Sequence, residues 1–410
     1  MRYWREIYAA MNDSDPKTTS TFPRANIDDA VRPTRAEIDL SAIAANFQSV
    51  ARYVGVDVWG VVKADAYGHG AVEVSAALVR AGAKGLCVAL VEEGLELRRA
   101  GISAQILVMS GVYGDGLDEA IDAGLTPVIF DRSQLEPLAR FARRGQIARV
   151  HLKIDTGMSR LGISTPDVAR TCEALASMPH VRVDGLMTHF ADADCDDASY
   201  TDVQIDRFVE AEAAARRAGL TPTVRHACNS AGAFRFARAR MELVRTGIVL
   251  YGVAPFPHDG PALMPAFSLR TAVLALREVP AGTPVGYAGN YRCSKTTVLA
   301  TIPIGYADGF FRRLSSEAEA LVRGERAKVV GNVSMDMASI DVTAIAKTVG
   351  VSVGDEVVLL GSQRGALGSD LIRAEEIAAR VGTIPYEVLC AVSRRVPRSY
   401  VYKPAPARSP

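Results

Sequence analysis

The segment VDVWGVVKADAYGHG, residues 56–70, joins an apolar, β-branched run to one lysine, Lys63, followed by Tyr67 and by a histidine between Gly68 and Gly70. Such a run reads as a strand buried on both faces, with Lys63 at its C-terminal end. Lysine is seldom fully buried, because desolvating an ammonium is costly unless it is paired or neutralised. One reading is a snorkelling lysine at the start of an ordinary turn. The other is an amine placed to form a Schiff base with an aldehyde cofactor. The segment alone leaves both open.

Outward from it, short apolar runs alternate with longer helical patterns. After 56–63 the strand candidates are LCVAL (86–90), QILVMS (105–110), LTPVIF (125–130), RVHLKID (149–155), VRVDGLMTHF (181–190), TVRHACN (223–229) and MELVR (241–245). Between the last strands, VQIDRFVEAEAAARRAG carries Ile205, Phe208 and Val209 as one apolar helix face and stops at Gly219. Eight strand–helix units with continuously apolar strands predict an α/β fold, a (β/α)8 TIM-type barrel; six or seven would have left a doubly wound sheet open. After residue 265 the pattern changes to strand alternation and turn residues, with only IRAEEIAARVG (372–382) reading as a helix. The expected order is an N-terminal tail (1–32), the barrel (33–265), a mostly antiparallel β domain (266–400) and a short tail (401–410).

Bulk composition narrows the function classes. The 410-residue chain is 49% hydrophobic and 23% charged, ordinary for a soluble protein with a large core, and long enough for two domains. Its formal net charge of +1 offers no long-range attraction to nucleic acid or an anionic membrane, so neither is an expected partner. Six dispersed cysteines without CxxC spacing read as reduced and mostly buried, as in a cytoplasmic protein. With no HExxH pair either, no metal site is expected. The first residues lack the apolar core of a signal peptide, and no stretch reaches membrane-spanning length.

A barrel of this type places its active site at the C-terminal ends of its strands. Polar residues collect there: Lys63 and then Tyr67 after strand one; Lys153 and Asp155, then Arg160, after strand five; Thr188 and His189 after six; His226, Asn229 and Ser230 after seven; Arg245, Thr246 and Gly247 after eight. Each has a plain alternative, such as a satisfied core histidine, a helix cap or an outer salt bridge. Their coincidence at five strand ends favours a site. Barrels commonly bind phosphate in the loops after strands seven and eight, which here carry Ser230 and Gly247-Ile248. A phosphorylated aldehyde cofactor, pyridoxal 5'-phosphate, would be anchored there and joined to Lys63.

The motifs VVKADAYGHG, HLKIDTGMSRLG, LMTHFA, ACNSAGA, VRTGIVLYG, IPIGYADG, GNVSMDM and TIPYEVLCAVSRRVPR together resemble the alanine racemases, pyridoxal-phosphate enzymes of fold type III. The resemblance extends from about residue 33 to 400. It implies that Lys63 holds the cofactor and acts as one catalytic base, and that Tyr287 acts as the second, supplied by the partner of a homodimer. It makes Arg245 the arginine facing the pyridine nitrogen and His189 its supporting histidine. Tyr67, Ser230, Gly247, Ile248 and Tyr386 would contact the phosphate. Arg160 would hold the substrate carboxylate, Met335 would contact the substrate from the partner, and Lys153 would fall on a lysine that is often carbamylated.

The implied reaction is interconversion of L- and D-alanine, supplying D-alanine for peptidoglycan. The alternatives are a broader amino-acid racemase acting on serine, lysine or arginine, and a decarboxylase on a related barrel. Removing an α-proton from one face and returning one to the other suits two bases of different origin. Three positions depart from the family pattern: Ala288 follows Tyr287 where glycine is usual, Pro385 precedes Tyr386 in place of asparagine, and Asp65 replaces a frequent asparagine. Tyr291, four residues beyond Tyr287, remains a competing candidate for the second base.

Overall fold

The computed structural model describes residues 27–113, 116–142, 146–256 and 259–402; of the two expected tails, residues 1–26 and 403–410 lie outside the described residues. All eight expected barrel strands form. Among the described residues the first strand is β1 (Arg35–Asp39), followed by β2 (Asp57–Val61), β3 (Gly85–Val88), β4 (Gln105–Val108), β5 (Thr126–Ile129), β6 (Ala148–Asp155), the two-residue β7 (Ile163–Ser164), β8 (Val181–Met187), β9 (Val224–His226) and β10 (Leu243–Thr246). The barrel order is β10-β2-β3-β4-β5-β6-β8-β9, parallel throughout, with β7 pairing only with β6. Across the remaining seam, the Arg245 N–H donates to the Cys228 carbonyl at 3.1 Å. Every residue of β3, β5 and β10 is buried, which is why these strands read as continuous apolar runs rather than alternating ones.

The helices pack outside by their apolar stripes. Leu40–Val54 is capped by Asp39, which accepts from the Ala42 N–H, and ends at Gly55 in the left-handed region. Its one buried polar residue, Asn46, is satisfied by the Leu250 and Met264 carbonyls and the Met264 N–H. The helix expected near 203–219 spans Ser199–Arg217 and buries Thr201, Gln204, Ile205, Phe208, Ala211, Glu212 and Ala215. Val209, expected on that face, is 51% exposed. One residue past Phe208 lies about 100° further round the helix, which carries it off the buried stripe.

The second sheet is mostly antiparallel, as expected, and it recruits β1. That strand pairs antiparallel with β11 (Phe267–Ala272) and parallel with Arg398–Val401, so the chain enters through the sheet that its C-terminal half builds. Besides the expected helix, observed over Ala374–Val381, short helices cover Thr343–Val349 and Pro385–Cys390. Six or seven residues with β-branched members, or a proline at the first position, give too little periodicity to read as helix.

The strand expected to run to Lys63 stops at Val61. Ala64, Asp65, Ala66 and Tyr67 then form one turn of left-handed helix, with φ of 50°, 57°, 52° and 54°. Each L-residue so placed costs roughly 1–2 kcal/mol, so the turn persists only because its surroundings hold it. Glu93 Oε1 accepts from the Ala64 N–H at 2.7 Å, and Asp65 Oδ1 accepts from the Ala71 N–H at 2.9 Å, capping the helix Ala71–Arg80. Asp65 thus serves as an asparagine would, adding a negative charge at a helix N-terminus. From the β domain, Arg398 Nε donates to the Gly68 carbonyl at 3.1 Å.

Ala64 is exposed, so its conformation can be tested without disturbing a core. Replacing alanine by glycine in an ordinary helix costs about 1 kcal/mol. Here Ala64→Gly should instead leave the melting temperature unchanged or raise it, a gain of up to about 1 kcal/mol from the relieved left-handed strain. A clear fall in the thermal unfolding midpoint would count against the turn.

Candidate active site

The C-terminal end of the barrel gathers ten of the twelve expected side chains. At one corner, Ser230 opens a short helix whose cap, Asn229, accepts from the Gly232 N–H at 2.9 Å. Ser230 Oγ accepts from the Gly247 N–H at 3.0 Å, which leaves the hydroxyl proton free for an acceptor outside. A Cβ on Gly247 would lie 2.4 Å from the Tyr67 phenol oxygen, so only glycine lets these groups meet. The Tyr67 ring is flanked by Tyr251 at 5.0 Å and Tyr386 at 5.8 Å between centroids, and burial holds its phenol well above the usual range. Ile248, buried beside Gly247, begins the turn that carries Tyr251. Hydroxyl protons and a bare backbone at one point suit a phosphate.

At the next corner lies Arg245, 3% exposed. Its Nη1 donates to His226 Nδ1 at 2.7 Å and to the His226 carbonyl at 3.0 Å; its Nη2 donates to the Thr188 and Ala227 carbonyls at 2.8 and 3.1 Å. His189 Nδ1 lies 3.2 Å from Nη2. Burial, then the Arg245 charge, holds both histidines well below their ordinary pKa, so both are neutral and can accept. Arg245 Nε is buried and, among the described residues, has no hydrogen-bond partner. A guanidinium cannot surrender its proton, so this N–H awaits an acceptor that stays unprotonated.

The third group is cationic. Burial and then Arg160 lower the pKa of Lys63, while burial, Arg245 and Arg160 bring that of Lys153 down to about 8. Arg160 itself is exposed and, among the described residues, has no ion-pair partner. The nearby carboxylates are engaged elsewhere: Asp155 accepts from the Gly157 and Ser159 N–H groups, and Glu93 from those of Ala64, Ala89 and Leu90. Lys63, Lys153, Arg160 and Arg245 therefore form an excess of positive charge that anions would relieve.

Tyr287 and Met335 do not join this cluster. Tyr287, 74% exposed, and Met335, 52% exposed, stand on the β domain, where no described hydrogen bond links either side chain to the barrel site. Three motifs build that face: the Asn332 amide donates to the Tyr287 carbonyl at 2.8 Å, and the Tyr306 and Ala307 N–H groups donate to the Ser334 and Met335 carbonyls. Tyr291 packs, partly buried, against the apolar cluster of Val279, Val285, Cys293 and Val330, whereas Tyr287 is largely exposed. Ala288, where glycine was expected, sits at φ 64°.

Two histidines escaped the sequence reading. His226 was noted only as a strand-end residue and His151 not at all, although a histidine at a buried position of an otherwise apolar strand was a visible signal. Cys87, Cys172, Cys228 and Cys293 are buried and free, whereas Cys195 and Cys390 are exposed.

The residues present fit pyridoxal phosphate. The Gly247 cradle with Ser230 and Tyr67 suits its phosphate, the unpaired Arg245 Nε–H suits a pyridine nitrogen, and Lys63 is the amine for its aldehyde.

The chain matches the alanine racemase N-terminal domain over residues 38–255 and the alanine racemase C-terminal domain over residues 266–400. It is 48% identical over 380 residues to an alanine racemase of Sorangium cellulosum, covering 90% of this chain and 99% of that one. Among solved structures, alanine racemase of Bacillus anthracis with bound L-Ala-P superposes with a TM-score of 0.83 at 34% identity, covering 91% and 96% of the two chains. Alanine racemase of Bartonella henselae with covalently bound pyridoxal phosphate gives 0.81 at 29% identity, covering 90% and 99%. No helix of the described residues is long and apolar enough to cross a membrane.

The cradle makes a direct test. In Gly247→Ala the new methyl must displace the packed Tyr67 phenol, so pyridoxal phosphate should bind at least about tenfold more weakly in equilibrium dialysis, roughly 1.4 kcal/mol. Unchanged affinity would rule out this corner as the phosphate site.

Proposed function

Because the chain belongs to the alanine racemase family, we propose that it is a pyridoxal-phosphate-dependent isomerase interconverting L- and D-alanine, with the D-isomer supplied to peptidoglycan synthesis. The observation that carries this reading is the unpaired Arg245 Nε–H beside the Gly247 cradle, within a cluster of four cations whose charge Glu93 and Asp155 offset only in part. When bound, the cofactor supplies the electron sink that makes a substrate α-proton removable.

The chain's own groups do the rest. Ser230, Tyr67, Tyr386 and the Gly247-Ile248 backbone hold the phosphate. Arg245 Nε would donate to the ring nitrogen and keep its own proton, while His189 and His226 hold the guanidinium in place. Lys63 would hold the cofactor through its amine and would move the α-proton on one face, with burial and Arg160 lowering its proton affinity. Arg160 holds the substrate carboxylate. The opposite face needs a second base, and Tyr386, the phenol that the same chain's β domain brings to the site, stands at the phosphate corner beside Tyr67. Tyr287 of the partner subunit fills that role, and Met335 of the partner subunit lines the substrate's other side. The exposed Tyr287, Tyr306, Met335 and Met337 support this reading as a face meant for a second copy.

If each site is shared, loss of either base should be complemented by the other. Lys63→Ala and Tyr287→Phe homodimers should each be inactive, and Lys63→Ala should also lose the visible cofactor band. After subunit exchange about a quarter of wild-type activity should return, half the dimers being mixed and each holding one intact site of two. No recovery in verified mixed dimers would overturn the shared site. A chiral assay over alanine, serine, lysine and arginine tests the substrate; activity on none would overturn the racemase reading.

Lys153 adds a pH-dependent feature. Its amine, with a pKa near 8, is protonated below that value and neutral above it. The neutral amine can attack carbon dioxide, forming an N–C bond and releasing one proton, and the resulting carbamate would pair with Arg160. Incorporation of 13C-bicarbonate, read by carbon NMR, should therefore grow as pH rises through 8 and vanish in Lys153→Ala.

A further inference from the structure

The hydrogen-bond chain that starts at Arg245 does not end at His226. His226 Nε2 lies 2.8 Å from His151 Nδ1. Arg245 can only donate, so His226 Nδ1 must carry a lone pair and the ring proton must sit on Nε2. That proton donates to His151 Nδ1, and the His151 proton is left on its own Nε2. One cation thus dictates the tautomers of two rings in series.

The fold accepts several penalties to keep His151 there. The ring is fully buried and, among the described residues, its Nε2 has no partner, so a desolvated donor is left unsatisfied. The pairing of β6 with β8 shifts register between Val150 and His151. Opposite it, Gly185 makes room: a Cβ there would lie 2.5 Å from His151 Nδ1. Trp59 covers both imidazoles, its ring centroid 6.0 Å from His151 and 6.4 Å from His226. An aliphatic side chain at this position would remove the unpaired atom.

We propose that His151 is a positioning residue: by accepting from His226 it fixes the His226 tautomer, and so holds the Arg245 guanidinium with Nε presented to the cofactor's ring nitrogen. The proposal rests on the reading of Arg245 given above. Without the acceptor, the His226 proton has no partner on Nε2, and the Nδ1–H tautomer that replaces it confronts the guanidinium with a donor. Arg245 then turns, and its Nε no longer faces the pocket.

The test uses the cofactor-loaded enzyme with His151→Leu and His151→Asn. Asparagine places its carbonyl oxygen where the ring Nδ1 stood, whereas leucine offers no acceptor. In His151→Leu, kcat should fall by about tenfold or more, as for other residues that orient a site group, with KM little changed. The visible band of the bound cofactor should shift, and the His226 ring nitrogens should change from the pure Nε2–H pattern of the wild type to a mixture in 15N NMR of histidine-labelled protein. His151→Asn should restore the band, the ring pattern and most of kcat. Wild-type kcat and ring signals in His151→Leu would overturn the proposal. So would equal impairment of both variants, which would mark a purely structural role. An inactive wild type would overturn the racemase reading instead, while the ring signals would still decide the tautomer.

Discussion

A guanidinium buried without a carboxylate governs this barrel. Placing such a charge in a protein interior costs several kcal/mol unless its donors are satisfied, and Arg245 meets that condition at Nη1 and Nη2 with three backbone carbonyls and two imidazoles, leaving Nε open toward the site. The same residue bridges the seam between β9 and β10 through its backbone N–H. Its charge lowers the proton affinity of Lys153, His151, His189 and His226 and offsets part of the burial that raises the Cys87 and Cys228 thiols. Closure of the barrel and tuning of its site are therefore one arrangement. Moving Arg245 would disturb both.

The second constraint is the left-handed turn after Lys63. It is strained, and groups from two domains hold it. Glu93 supports it from the barrel, while Arg398 reaches it from the far end of the chain and also gathers the Val392, Ser393 and Val396 carbonyls. Gly68, at its close, lies against the Leu389 carbonyl so tightly that a Cβ would come within 2.5 Å of that oxygen. The lysine's position thus depends on the β domain as well as on the barrel, even though the motif that carries it looks local.

Much of this was legible in the sequence, and the exceptions share a cause. Eight apolar runs with polar ends sufficed for the barrel because buried parallel strands write themselves in composition. The strand ends at Lys63, Ser230, Arg245 and Gly247 were legible for the same reason. What periodicity could not show was anything set by long-range pairing. β1 has too few residues to announce which sheet it joins, and the turn at Ala64–Tyr67 contradicts local preference because distant groups impose it. Val209 was placed on the wrong face because two adjacent apolar residues leave the centre of a helix stripe ambiguous. His151 and His226 were hidden by their apolar neighbours: a histidine in a strand becomes meaningful only when its hydrogen-bond partner is known.

The placement of β1 has a consequence for how the molecule is made. Ile38 pairs with Phe267 and Ala36 with Arg398, so β1 leaves the ribosome long before either neighbour exists. The barrel strands, by contrast, emerge in nearly the order in which they pair. During synthesis the barrel can assemble while β1 waits with both edges open, and the β sheet is sealed only when the last strand arrives. An unpaired strand is a hazard for aggregation. Alternating charged and apolar residues, Arg35, Glu37 and Asp39 between Ala36 and Ile38, keep this one soluble while it waits. Emergence of the Arg398–Val401 strand is thus the event that locks the two halves together.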